Sequence, residues 1–200
     1  DALNAIALAA PECARLRRTL RGDDDAFAFG WDTIGGDSSP STESSKSRKE
    51  KESLLRGLFP CWCHSPAATI GLCVLSGLDA VAFFCAEEVA RDETELSRET
   101  LVRLDRLAHL LETPPFAGAR LRLVAPGARP GLKRALAAVL ALLPQSSAFR
   151  TLRDRLGACA PPSAGEQGGS ELGETETPGS GYEAVSPFAA RAFRAARAAH

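Results

Sequence analysis

Apolar residues recur along most of this chain at the three- and four-residue spacing of amphipathic helices. The clearest example lies between residues 98 and 112, where charged side chains occupy the opposite face. Its apolar face is formed by Leu101, Leu104, Leu107, Ala108, Leu110 and Leu111. The pattern predicts an all-α protein.

A second apolar run, at residues 132–143, ends in a short break before a further amphipathic stretch. Pro144 ends the first helix, because proline has no amide hydrogen and disfavours a helical conformation in the residue before it. Ser146 or Ser147 can then cap the next helix, a contribution of about 1 kcal/mol, and Phe149 opens its apolar face. Two antiparallel helices joined by a tight corner are the unit from which helical solenoids are stacked.

The same patterns divide the chain into four parts. Residues 1–22 predict a first helix pair and residues 53–159 the main solenoid domain. Between them, residues 23–52 are rich in Gly, Ser and charged side chains and predict a long disordered insertion. Residues 160–200 predict a disordered low-complexity tail that ends in a short, frayed Ala/Arg helix.

Two segments leave the local structure open. Residues 120–125 alternate like a strand, and the pattern alone does not separate strand from helix; a lone strand would have no pairing partner, so a short helix is expected. Pro60 is expected to kink or locally end the helix that precedes it. Ser65 and Pro66 then form a cap and first-turn pair for the next helix, which Gly77 closes.

Composition excludes several classes of protein. With 44% apolar residues and a net charge of -1, the chain is typical of a soluble globular protein. It contains no apolar run of the roughly 20 residues needed to span a bilayer. The mildly basic helical part could face an acidic partner or an anionic membrane, but its excess charge is too small and scattered for nucleic acid. The first residue is Asp1 and methionine is absent, so we interpret the chain as a fragment of a longer protein.

The cysteines and histidines offer the only candidate reactive chemistry. Six cysteines fall on helix-like stretches, which favours reduced, buried thiols over disulfides. Cys61, Cys63 and His64, with Cys73 or Cys85, could be considered as metal ligands, but their spacing differs from that of common zinc sites. Cys63 and His64 are adjacent, so their side chains would diverge on a helix and could not form a nucleophile and base pair. We therefore expect no metal, no cofactor and no enzymatic activity, with His64 packed or capping a helix.

Two segments carry a resemblance to a known family. Residues 62–69, WCHSPAAT, followed by Leu72 and Cys73, resemble the WCHNPVAT...LC element of the vacuolar-protein-fourteen family, also called the associated regulator of PIKfyve. Residues 142–149, LLPQSSAF, are similar to its LLPQSSAF...L..RL element. The resemblance covers residues 2–22 and about 53–160, whereas the insertion, Pro60 and the tail depart from it.

This resemblance implies a HEAT-like solenoid that is the C-terminal domain of a non-catalytic scaffold. Such a scaffold self-associates into a star-like oligomer, with a pentamer as the candidate size. It holds a Sac-family phosphoinositide phosphatase and a FYVE-domain phosphatidylinositol 3-phosphate 5-kinase, and so regulates phosphatidylinositol 3,5-bisphosphate. The implied location is cytosolic and peripheral on endosomal or vacuolar membranes, which the protein reaches through the complex.

The residues of the two resembling segments are the candidate partner contacts or their immediate supports. They are Trp62, Cys63, His64, Ser65, Pro66, Thr69, Leu143, Pro144, Gln145, Ser146, Ser147, Phe149 and Leu152. Internal packing is the competing explanation for them, and sequence does not separate the two.

A second hypothesis assigns the chain to peripheral membrane or lipid-binding modules. The helix predicted in the tail carries Arg191, Arg194 and Arg197 near one face, a pattern typical of helices that lie on anionic membranes. Its only large apolar side chains, Phe188 and Phe193, are expected to bury little surface, which disfavours an anchor.

Overall fold

A computed structural model describes residues 2–21, 42–91, 96–124, 130–159 and 186–198, and these residues are almost entirely helical. The helices are α1 (Ala2–Ala9), α2 (Ala14–Arg21), α3 (Thr42–Trp62), α4 (Pro66–Ser76), α5 (Asp79–Arg91), α6 (Arg98–Leu111), α7 (Ala117–Val124), α8 (Pro130–Leu142), α9 (Ser147–Ala158) and α10 (Ser186–Ala198). Short 3-10 turns, Pro11–Cys13 and Pro114–Phe116, precede α2 and α7. Because no strand occurs in these ranges, the predicted all-α helical solenoid is confirmed.

The central helices stack in two rows. Helix α4 packs against α5 and α6, α8 packs against α5, and α9 packs against both α6 and α8. Gly131 at the start of α8 faces Asp79 at the start of α5, so these two helices run in the same direction. One row therefore contains α4, α6 and α9, and the other contains α5 and α8.

Helix α4 is the centre of the core. All of its residues except Ala68 are buried, and Ile70, Leu72 and Val74 have no exposed surface. Gly71 allows α4 to approach its neighbours closely, because an added Cβ would lie 2.9 Å from Leu107 Cδ1. A helix that is apolar on every side fits only where neighbours surround it, as they do here.

Positively charged side chains reach from one helix to the C-terminal carbonyl groups of another. The carbonyl groups of the last helical turn have no partner within their own helix, and cations favour that end of the helix dipole. Arg122 of α7 donates to Val74 O at 2.6 Å, at the end of α4. The other bonds of this kind run from Arg17 to Ala7 O and Ala10 O, from Arg120 to Leu111 O and Thr113 O, and from Lys51 to Arg21 O. Arg21 donates instead to Pro115 O, inside the 3-10 turn Pro114–Phe116.

Local predictions hold at several helix ends. Helix α7 is the short helix that was expected at residues 120–125, and Gly77 closes α4 with a positive φ of 76°. Pro60 does not end α3 at once, since the helix continues two residues further to Trp62. The α4 helix starts at Pro66 as predicted, but the Ser65 side chain makes no capping hydrogen bond.

The predicted insertion needs correction at its C-terminal part. Residues 42–52 belong to α3, and Lys51 Nζ donates to Arg21 O at 2.7 Å. Alternating Lys and Glu support an exposed helix through pairs four residues apart, as Glu52 and Arg56 do at 2.8 Å. Residues 22–41 and 160–185 lie outside the described residues, so the division into four parts stays a prediction.

The predicted Ala/Arg helix near the end of the chain is present as α10, but the expectation that it is frayed and buries little was wrong. Phe193 has no exposed surface and Phe188 is half-buried. Helix α10 packs against α3 and α5, whose aromatic side chains lie more than a hundred residues earlier in the chain. Across the ranges that the structure covers, no helix combines the length and apolarity required to cross a membrane.

The end of α4 provides a test of this packing. We expect Gly77→Ala to lower the free energy of unfolding by about 1 to 2 kcal/mol, because alanine is strained at positive φ and its Cβ would lie 2.7 Å from Arg122 Nη1. Gly57→Ala in α3 is the matched control, since nothing lies within 4 Å of its added Cβ. This control should stabilise the protein by about 0.5 to 1 kcal/mol. Urea unfolding followed by circular dichroism measures both values, and equal effects would contradict the prediction.

Candidate partner-binding site

The first resembling segment forms the corner between α3 and α4. Thr69 Oγ1 donates to Trp62 O at 2.8 Å and is 3.1 Å from Ser65 O. The Ser65 amide also donates to Trp62 O, at 2.9 Å. These bonds hold the end of α3 against the start of α4, so the segment stabilises the corner through hydrogen bonds in its interior.

Most of the candidate residues in this corner are buried. Trp62, Cys63, Ser65 and Thr69 are each less than 5% exposed, and Pro66 is buried as well. Buried side chains cannot touch a partner, so these five residues support the corner. His64 is exposed, so it is not packed in the core, whereas the alternative that it caps a helix stays a prediction.

Cys63 and Cys85 have raised pKa values, which is the opposite of an activated thiol. Burial raises the pKa of Cys63 to about 12, with Cys85 and Cys61 adding to the effect. A hydrogen bond with Cys73, together with burial, raises the pKa of Cys85 as well. Three cysteines are buried as predicted, whereas Cys61 is exposed and Cys13 and Cys159 are half-buried. Within the part of the chain that the structure covers, no group of three or more His, Cys, Asp or Glu residues could hold a metal ion.

The second resembling segment forms the corner between α8 and α9. Ser146, one of the two predicted caps, accepts a hydrogen bond from the Phe149 amide at 3.2 Å. Its hydroxyl also donates to Asp105 Oδ1 of α6. Ser147 does not cap the helix, and its hydroxyl lies 3.5 Å from His109 Nε2. The start of α9 is thereby fixed to the outer face of α6.

A charged pair extends this attachment along α6. Arg155 of α9 donates two hydrogen bonds to the carboxylate of Glu112, one of them at 2.7 Å. This pairing raises the pKa of Arg155. Paired hydrogen bonds between guanidinium and carboxylate fix orientation as well as distance. Asp105, His109 and Glu112 thus belong to the site.

These three α6 residues are not among the candidates that the sequence predicts, because the polar face of α6 is expected to lie in solvent. Their polarity is what an exposed helix face requires, and their partners lie about forty positions later. The only available signal was the opposite charge of Glu112 and Arg155.

The exposed part of this corner is small and polar. Pro144, Gln145 and Ser147 are exposed, and Ser147 lies next to His109, whose side chain is 53% exposed. We call these four residues the corner strip. Of the other candidates, Leu143 and Leu152 are buried, Ser146 is half-buried, and Phe149 is half-buried with Arg153 Cζ 5.9 Å from its ring centre.

The role of Thr69 can be tested by removing its hydroxyl. We expect Thr69→Val to lower the free energy of unfolding by about 0.5 to 1.5 kcal/mol, because Trp62 O and Ser65 O each lose one of their two donors. Thr69→Ser retains the hydroxyl and should cost less. Urea titration of both variants measures the difference. A serine variant as unstable as the valine variant would contradict the hydrogen-bonding role.

Thiol labelling tests the inert character of the buried cysteines. At neutral pH we expect Cys61 to react first and Cys63 to react about a thousandfold more slowly, because its pKa of about 12 leaves far less thiolate than the usual 9.0. Mass spectrometry after timed maleimide labelling gives the rate at each residue. Equal labelling rates at Cys61 and Cys63 would contradict the prediction that burial makes Cys63 unreactive.

Most of this chain is similar to known proteins. Residues 1–159 match the family described as "Vacuolar protein 14 C-terminal Fig4p binding". Protein VAC14 homolog of Arabidopsis thaliana is 38% identical over 159 residues, which cover 78% of this chain and 18% of that protein. Protein VAC14 homolog of Schizosaccharomyces pombe is 41% identical over 111 residues, which cover 56% and 13%.

A third relative is the Vacuole morphology and inheritance protein 14 of Saccharomyces cerevisiae, 33% identical over 154 residues, which cover 77% of this chain and 14% of that protein. The chain thus spans less than a fifth of the length of these relatives. No solved structure matches it. Both resembling corners lie inside the matched region, and the chain belongs to the Vacuolar protein 14 C-terminal Fig4p binding family.

Proposed function

We propose that this chain is a non-catalytic scaffold domain that binds a Sac-family phosphoinositide phosphatase of the Fig4 type. The observation that carries the proposal is the match of residues 1–159 to a family described by Fig4p binding. The geometry supports the same conclusion, because a polar surface held on stacked helices suits the binding of another protein.

We further propose the corner strip as a contact for the phosphatase. Gln145 is exposed at a tight corner whose two sides are held by the Ser146 and Arg155 bonds to α6. A contact residue that is already held in place loses little conformational freedom on binding. The fold does not need the Gln145 side chain to fill its core, so a role in recognition is the simplest explanation for it.

The wider assembly is also part of the proposal. We infer self-association through HEAT-like repeats into a star-like oligomer, with a pentamer as the candidate size. We also infer a link to a FYVE-domain phosphatidylinositol 3-phosphate 5-kinase, so that synthesis and turnover of phosphatidylinositol 3,5-bisphosphate occur in one complex. The proposed location is cytosolic and peripheral on vacuolar or endosomal membranes. A relative named for vacuole morphology supports the vacuole.

The lipid-binding hypothesis is not favoured by the position of α10. Phe193 is fully buried and Phe188 packs 6.5 Å, ring centre to ring centre, from Phe59. An interfacial helix must bury its apolar side chains in the membrane, and in α10 the solenoid already covers them.

Substitution at the corner tests the proposed contact. We expect Gln145→Ala to weaken capture of a purified Sac-family phosphatase by roughly fivefold, the effect of losing about 1 kcal/mol of contact energy. The unfolding midpoint should not change, because the side chain is exposed.

Lys49→Ala, an exposed substitution on α3, is the control and should leave capture unchanged. Ser146→Ala should instead lower stability, since Ser146 caps α9. Undiminished capture by the Gln145 variant would exclude the corner strip as a contact. If the wild-type chain captures no phosphatase, the proposed function itself fails.

A further inference from the structure

Helix α10 lies in a groove between α3 and α5. Its Phe188 ring is tilted 49° against Phe59 of α3, with ring centres 6.5 Å apart. Its Phe193 ring meets Phe84 of α5 edge-on, with ring centres 6.4 Å apart. Ala189 and Ala196 on the same face are buried. The groove therefore accepts two aromatic side chains five positions apart, with small residues beside them.

One ion pair fixes the orientation of α10 in the groove. Arg194 donates to both carboxylate oxygens of Glu88, at 3.0 and 3.2 Å. These bonds with Arg194, reinforced by Arg91, lower the pKa of Glu88. The Arg194 guanidinium also lies 5.2 Å from the ring centre of Phe84, within cation–π range. The groove thus combines apolar recognition with a negatively charged position at Glu88.

The position of α10 differs from that of a stacked repeat. Each repeat of a solenoid contacts its neighbours in sequence, so a further repeat would pack on α8 and α9. Helix α10 instead returns to α3 and α5. It also follows residues 160–185 and lies beyond residue 159, where the family match ends. The helix is an addition to the matched domain.

The length of α10 makes its helical structure dependent on the groove. Isolated helices of 13 residues, the length of α10, are marginal in water even with many alanines. Because α10 belongs to the same chain as the groove, its effective concentration there is on the order of millimolar. A modest intrinsic affinity is then sufficient for docking within one chain, and a free helix of higher affinity can compete.

We propose that the groove between α3 and α5 is a helix-docking site and that α10 is its built-in, exchangeable ligand. The groove binds α10 of the same chain until a partner protein presents a helix with two aromatic residues five positions apart and an arginine next to the second. Release of α10 exposes Phe59, Phe84 and Glu88 to that partner.

Cleavage of the linker tests this proposal on the full chain. A specific protease site is placed within residues 160–185, the chain is cut, and a fluorescent synthetic peptide of residues 186–198 is added. We expect the labelled peptide to replace the cut segment and bind the domain, as measured by fluorescence anisotropy. A peptide carrying Phe193→Ala should bind at least about a hundredfold more weakly, since the pocket for a buried aromatic ring is left empty.

Charge variants give matched controls. A peptide carrying Arg194→Ala should bind up to about fivefold more weakly, whereas Arg191→Ala, an exposed arginine of the same helix, should have no effect. On the domain, Glu88→Gln should weaken peptide binding as much as Arg194→Ala does. Glu87→Gln should leave peptide binding unchanged, because Glu87 pairs with Arg91 whereas Glu88 pairs with Arg194 of α10.

Four results would overturn the proposal. The labelled peptide does not bind, or it binds equally well without Phe193. The domain loses its helical circular dichroism when the cut segment is removed, which would make α10 an integral part of the core. The uncut chain forms dimers that the labelled peptide dissociates, which would place α10 in a second copy. None of these results depends on phosphatase capture, so the proposed function is tested separately.

Discussion

Bonds from arginine and lysine side chains to helix C-terminal carbonyl groups join α2 to α1, α3 to α2, and α7 to both α4 and α6. A helix leaves its last carbonyl groups without partners, and burying them unpaired is costly. In this protein some donors come from neighbouring elements, as when Arg122 of α7 donates to Val74 O at the end of α4. Others are backbone amides just beyond the helix, as when the Glu112 amide donates to His109 O and Leu110 O at the end of α6. Each bond of the first kind satisfies one helix end and fixes the position of a second helix. Apolar packing alone is less directional.

In both corners, the residues that stabilise the corner differ from the residues that it leaves exposed. The corner between α3 and α4 carries the most recognisable residues of the chain, yet Trp62 and Thr69 are buried and bond to their own corner. The corner between α8 and α9 uses Ser146 and Arg155 to hold itself on α6 and leaves Gln145 exposed. A motif can therefore identify a family through residues that maintain its fold.

Helix α10 depends on side chains of α3 and α5 for its apolar contacts. The helix has few large apolar side chains, and by itself it would be a weak helix. Phe59 and Phe84 provide the missing surface, and Glu88 provides the charge that Arg194 requires. The groove and the helix complement each other in shape and in charge, which is the basis for regarding them as a site and its ligand.

The sequence by itself determined the class of fold, most helices and a serine cap at position 146 or 147, because helical periodicity, proline and serine act over a few neighbouring residues. The structure decided that the cap is Ser146. The sequence also identified the family, through residues 62–69 and 142–149. Only the tertiary structure decided which candidate residues are exposed, that α6 supports the second corner, and that α10 docks between α3 and α5. Those contacts join residues about forty to more than a hundred positions apart, and local pattern does not encode which distant surface a helix face will meet.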